Sequence, residues 1–202
     1  MPHLNGGCFI EANNFPVDFA LIRASDVPRF VNDENATTSV GITGSDIIWE
    51  AGLGKDYGKE IPIYQFNQSA KQSRLYVGFT ERFRELLGRT VNYQDLNQTT
   101  IATKFPKISQ DYLGEKGIMP ELIVVPGADE AMQYIFPNCN AVLGVVSSGA
   151  TLQENRIDIL ETFYDVSLRF VEQQEKMTNN DLLIFNELQE RIAVALERRR
   201  ML

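Results

Sequence analysis

Cysteine and histidine are scarce in this chain: Cys8 and Cys139 are the two cysteines, and His3 is the single histidine. Two thiols so far apart supply no disulfide framework and point to a reducing compartment, each thiol reading as a small buried apolar residue. One histidine near the start argues against a His-rich metal site, a Ser-His-Asp triad or a Cys-His pair. No apolar run approaches the ~20 residues that cross a bilayer. The opening Met1-Pro2-His3-Leu4-Asn5-Gly6-Gly7 has no basic region followed by an apolar core, so no signal peptide is expected and the reading is cytoplasmic. Positive charge is also in deficit. Against 27 Asp and Glu stand 19 Lys and Arg, a net charge of −8, which argues against a broad nucleic-acid or anionic-membrane surface but leaves room for a local basic pocket.

The most informative stretch runs from Asn140 to Asn155. Ala141-Val142-Leu143-Gly144-Val145-Val146 is the apolar run of a buried parallel strand. Ser147-Ser148-Gly149-Ala150-Thr151 is small and hydroxylated, and helix-forming residues follow. Two readings fit this pattern. One is a phosphate cradle, in which small side chains let backbone amides approach an anion at the positive end of a helix. The other is an ordinary strand-to-helix turn with Ser148 or Thr151 as the N-cap.

Strands and helices alternate along the rest of the chain. Residues 17–23, 40–44, 61–66, 74–79, 99–105, 121–125 and 163–171 read as strands. Helices are expected after Ser25-Asp26-Val27-Pro28, from Ser45, from Ser109 (its N-cap) to Glu115 with Gly117 ending it, from Asp129 to Phe136 with Asp129 or the residue before it as cap, and from Thr178 to Arg200; residues 81–87 read as a short helix or a turn. In the last, Glu187 and Arg191 are an i,i+4 pair. Gly52-Leu53-Gly54-Lys55-Asp56 is not a Walker loop, because no Ser or Thr follows the lysine. The class is α/β with mainly parallel sheets.

Five stretches in order resemble one family. These are Arg23-Ala24-Ser25-Asp26-Val27-Pro28, Val40-Gly41-Ile42-Thr43-Gly44-Ser45-Asp46, and Ile101-Ala102-Thr103-Lys104-Phe105-Pro106 with Tyr112 to Ile118. Gly127-Ala128-Asp129-Glu130 and Ser148-Gly149-Ala150-Thr151-Leu152-Gln153-Glu154-Asn155 complete the set. Together they resemble the catalytic subunit of ATP phosphoribosyltransferase, in its short form. The agreement extends from about Phe19 to the C-terminus.

The resemblance implies a two-lobed fold of the type II periplasmic-binding-protein kind. Residues 1–94 with 167–202 would form one discontinuous lobe, and residues 95–166 a second lobe carrying the loop. It implies transfer of phosphoribosyl from phosphoribosyl pyrophosphate (PRPP) to N1 of ATP. Ser147, Ser148, Gly149, Ala150, Thr151 and Leu152 would hold the PRPP phosphate. Arg23 and Lys104 are candidates for pyrophosphate or triphosphate contacts, and Glu130 for a ribose hydroxyl. Mg²⁺ would arrive on the pyrophosphate, and no protein metal ligands are assigned. A homodimer or larger oligomer, with a separate regulatory subunit, is the implied assembly.

The sequence departs from the family in three places. The family's opening strand and Lys-Gly-Arg-Leu loop have no counterpart, and about thirty residues are expected ahead of Phe9. Gly144 and Asn140 stand where the family carries acidic residues. Phe136-Pro137 replaces a glycine-rich approach to the central strand. The alternative expectation is a phosphate-ligand-binding or regulatory protein without transfer; a third is a sugar-phosphate or nucleotide enzyme of other specificity.

Overall fold

The computed structural model describes residues 4–5, 9–37, 39–61, 72–127 and 129–200. His3, Cys8, Ala128 and residues 62–66 of the strand expected at 61–66 lie outside the described residues. In chain order the strands are β1 (Leu4–Asn5), β2 (Phe9–Ile10), β3 (Phe19–Ala20), β4 (Val40–Gly44), β5 (Lys59–Glu60), β6 (Arg74–Thr80), β7 (Thr100–Thr103), β8 (Glu121–Val124), β9 (Cys139–Val146), β10 (Ile157–Asp165) and β11 (Leu168–Glu172). The helices are α1 (Val27–Asn32), α2 (Ser45–Glu50), α3 (Glu81–Leu87), α4 (Pro106–Glu115), α5 (Ala150–Glu154) and α6 (Asn179–Arg200). Among the described residues, no helix is long and apolar enough to cross a membrane.

The chain divides into two compact units, Met1–Gln68 with Ser167–Leu202, and Ser69–Val166. In the first unit β11 lies between β4 and β5 and pairs antiparallel with both. Alternation along β11 sends Val171 to a cluster with Val27, Val31 and Ile48, and Phe170 to another with Ile61 and Phe185 of α6. The Phe170 and Phe185 rings meet edge to face at 5.3 Å, a favoured aromatic geometry. Pro28 sits in the first turn of α1, where its missing N–H costs nothing. The Glu187–Arg191 pair on α6 closes at 2.6 Å on an exposed face.

The second unit is a five-stranded sheet in the order β10-β6-β9-β7-β8. β7 is parallel to β8 and to β9, with α4 as the crossover between β7 and β8. β6 is antiparallel to both β9 and β10, so the pairing is mixed where mainly parallel sheets were expected. The reason is that Leu75 to Thr80 of β6 is buried throughout. A strand covered on both faces has the same apolar run whichever way its neighbours point. These ladders, including Tyr76 opposite Gly144 and Thr80 opposite Ile157, also draw residues 69–94 into this unit. Expected in the lobe of residues 1–94, they belong instead to the unit Ser69–Val166. The strand expected at 163–171 is likewise two, β10 and β11, divided where the chain leaves this unit.

Helix α4 opens three residues earlier than expected. Pro106, not Ser109, begins it, while Ser109 is buried and its Oγ donates to the Phe105 carbonyl at 2.8 Å. The far end of α4 is tied to β10 through Glu161. Glu161 Oε2 accepts from Tyr93 at 2.5 Å, Tyr112 at 2.8 Å and Lys116 at 3.2 Å. The hydrogen bonds from Tyr93 and Tyr112 are the main reason its carboxyl is held below the usual range. Lys116 of the Lys-Gly-Ile stretch is therefore a packing residue, lying 4.4 Å above the Tyr93 ring.

Leu152 anchors α5 by packing with Tyr76, Val142, Val146 and Ile157. Leu152→Ala is expected to lower unfolding stability by about 2–4 kcal/mol, the usual cost of an emptied aliphatic site, as read from denaturant midpoints.

Candidate functional site

β7, β8 and β9 run the same way, so their C-terminal ends share one edge of the sheet. Lys104 follows β7, Pro126 and Gly127 and then the 3-10 segment Asp129–Tyr134 follow β8, and Ser147 follows β9. Ligands of open α/β sheets gather outside such strand ends, because loops there converge while the strands below stay rigid. The antiparallel β6 begins at the same edge. Ser73, just before it, meets the Ser147 hydroxyl at 2.6 Å.

The turn after β9 is exposed at Ser147, Ser148, Ala150 and Thr151, half-buried at Gly149 and buried again at Leu152. Gly149 is the N-cap of α5, with φ +81 and ψ 0, and no side chain caps the helix. The expectation that Ser148 or Thr151 would be the N-cap is thus corrected. Ser148 Oγ accepts from the Ala150 amide, the first of α5, at 3.3 Å, but not from the second or third, which a cap would hold. A left-handed residue is needed for the chain to reverse from strand into helix, and glycine takes that conformation without penalty. A Cβ on Gly149 would meet nothing within 4 Å, so the space over the turn is open. The arrangement leaves the Thr151 and Leu152 amides in the first turn of α5 for an outside acceptor.

The Asp129–Tyr134 segment is a 3-10 turn rather than the α-helix read from sequence. It packs on β9 through the Gly144 position. Tyr76, fully buried on β6, donates its hydroxyl to Glu130 Oε1 at 3.0 Å. Burial, then the Glu130 carboxylate, raises the Tyr76 pKa far above the usual phenol range, so it stays a donor. Gln133 Nε2 donates to the Glu130 carbonyl at 3.1 Å and to the Asn155 carbonyl at 2.7 Å, joining this turn to the end of α5.

Asp129 is the residue that sequence reasoning assigned only to capping. It is 5% exposed. Its carboxyl is raised from 3.8 to about 6, mainly by burial and next by Glu130, against the pull of the Lys104 ammonium and amide. Lys104 itself is exposed, its ammonium 4.9 Å above the Phe105 ring. The one signal available beforehand was two adjacent carboxylates after a strand. Nothing local said that the first would be buried.

The structure therefore brings Lys104, Glu130 and residues 147–152 to one edge of one unit. Arg23 belongs to the other unit, where it is exposed and precedes the 3-10 turn Ala24–Asp26. Among the described residues, no group of three His, Cys, Asp or Glu side chains is placed to hold a metal ion.

The family described as HisG: ATP phosphoribosyltransferase matches residues 23–194. The chain belongs to this family. A relative from Methanopyrus kandleri named ATP phosphoribosyltransferase is 32% identical over 155 residues, 77% of this chain and 50% of the relative. One of the same name from Clostridium acetobutylicum is 29% identical over 169 residues, 81% of this chain and 68% of the relative. The chain thus spans half to about two thirds of the length of these curated relatives. Among solved structures, the ATP phosphoribosyl transferase (HisG:HisZ) complex from Thermotoga maritima has a chain of the same fold. Its TM-score is 0.72 at 19% identity, covering 96% of this chain and 88% of that one.

Proposed function

We propose that the chain transfers the phosphoribosyl group of PRPP to N1 of ATP with release of pyrophosphate, the first step of histidine biosynthesis. The observation that carries this reading is the uncapped, left-handed turn at Gly149, at the end of the central strand in a chain of this family. Amides from Gly149 to Leu152, with the hydroxyls of Ser147, Ser148 and Thr151, would hold the 5′-phosphate. Glu130, fixed by Tyr76, would take a ribose hydroxyl. Lys104 would meet the pyrophosphate or the triphosphate. As N1 attacks the anomeric carbon, charge grows on the ribose and on the departing pyrophosphate, so catalysis is mainly positioning and electrostatic stabilisation. Mg²⁺ enters with the PRPP pyrophosphate as part of the substrate and draws few protein ligands.

The assembly we propose is a homodimer or larger oligomer working with a separate regulatory subunit. The two-component composition of the Thermotoga complex supports that reading. Calorimetric titration with PRPP and ATP in the presence of Mg²⁺, followed by an assay of pyrophosphate release, tests the function. PRPP binding and release, in the isolated chain or with the regulatory subunit added, is the expected result. Failure of PRPP to bind removes the reading. Binding of PRPP without release under either condition would leave a phosphate-ligand-binding protein instead.

A further inference from the structure

Gly144 lies on the buried central strand, facing the turn that follows β8. A Cβ placed there would stand 3.2 Å from Tyr76 Cε1 and 3.5 Å from both Asp129 Oδ2 and the Tyr76 hydroxyl. The space that a side chain at 144 would take is thus bordered by the Tyr76 ring and, from the neighbouring turn, by a carboxylate. Asp129 Oδ1 is buried with no hydrogen-bond partner, whereas the adjacent Glu130 is engaged by Tyr76. A buried acceptor without a donor is destabilising, and native chains keep few of them.

We propose that Asp129 is a further ligand-binding residue of this edge, its Oδ1 accepting from a sugar hydroxyl of the ligand whose phosphate lies at residues 147–152. The inference rests on the phosphate-loop reading above. Oδ1 is shielded from solvent, so engagement needs the side chain to turn toward the edge; Oδ1 has no hydrogen bond to give up, while the one that the carboxyl accepts from the Lys104 amide is exchanged for the ligand's. The charged and titratable groups around the carboxyl are Glu130 on its own turn, Lys104 after β7 and Tyr76 on β6. Lys104 favours the ionised acceptor and Glu130 opposes it.

The test is calorimetry on the full chain near pH 7.5, with ribose 5-phosphate and with inorganic phosphate as separate probes. Asp129→Ala and Asp129→Asn are expected to weaken ribose 5-phosphate about ten-fold or more, the usual effect of losing a charged hydrogen-bond acceptor. Inorganic phosphate should bind as in the parent. Adding Gly144→Asp to Asp129→Ala should recover most of the loss, since a carboxylate from 144 enters the same space. Two variants of different shape, with near-ultraviolet circular dichroism as the fold check, keep the result readable should the alanine form fail to fold. Unchanged ribose 5-phosphate affinity in a folded Asp129 variant overturns the proposal and leaves the loop intact. Failure of the parent chain to bind inorganic phosphate or ribose 5-phosphate overturns the loop reading and this one with it.

Discussion

Gly149→Val is expected to weaken inorganic phosphate binding about ten-fold or more, with a far smaller effect on the fold. At φ +81 a β-branched residue is strained. The left-handed conformation costs an L-residue roughly 1–2 kcal/mol, and branching at Cβ adds to that. The turn relieves the strain by moving toward negative φ. That motion swings the amides of Gly149 and Ala150 away from the direction in which the present turn holds them. A β-carbon would find no neighbour within 4 Å, so no clash in the core accompanies the change, and Leu152 keeps α5 seated. Calorimetry with inorganic phosphate measures the first effect, and a denaturant midpoint the second. Undiminished phosphate affinity in the folded variant would mean that backbone amides at this turn do not hold the anion.

Asp129→Asn is expected to stabilise the protein at pH 8 and to leave its stability nearly unchanged at pH 4. Burial, then Glu130, raises this carboxyl from 3.8 to about 6 in the folded chain. The folded state consequently holds the proton more tightly than the unfolded state does. A group of this sign contributes its full stability below pH 4 and loses it as pH rises through about 6. The gap between 3.8 and about 6 corresponds to on the order of 3 kcal/mol, an upper limit for the gain at pH 8. The amide still accepts from the Lys104 backbone, but its own N–H groups need partners, and this trims the gain. Denaturant midpoints of both forms at pH 4 and pH 8 decide the matter. An equal change at the two pH values would mean that Asp129 is not kept from ionising by its surroundings.

What could be read from the residues alone was local. The run from Ala141 to Val146, the small turn after it and the helix start beyond depend on neighbours in sequence, and all three are present. Pro28 in α1 and the Glu187–Arg191 pair are legible for the same reason. What was hidden depends on distant partners. The direction of β6 is set by β9 and β10, and its all-buried side chains carry no mark of it. The start of α4 at Pro106 displaced the expected cap at Ser109, because Thr103 Oγ1 accepts from the Phe105 amide and turns the chain sooner. The burial of Asp129 required knowing that a glycine on another strand leaves it room. Its neighbour Glu130 was singled out through the family resemblance, and the structure adds the tyrosine that fixes it.

The nearness of Asp129 to the Gly144 position couples two segments that lie apart in the chain. The carboxylate stands 3.5 Å from where a β-carbon at 144 would be. Any side chain grafted onto that strand position meets a resident acidic group, so the two sites have to be redesigned as a pair.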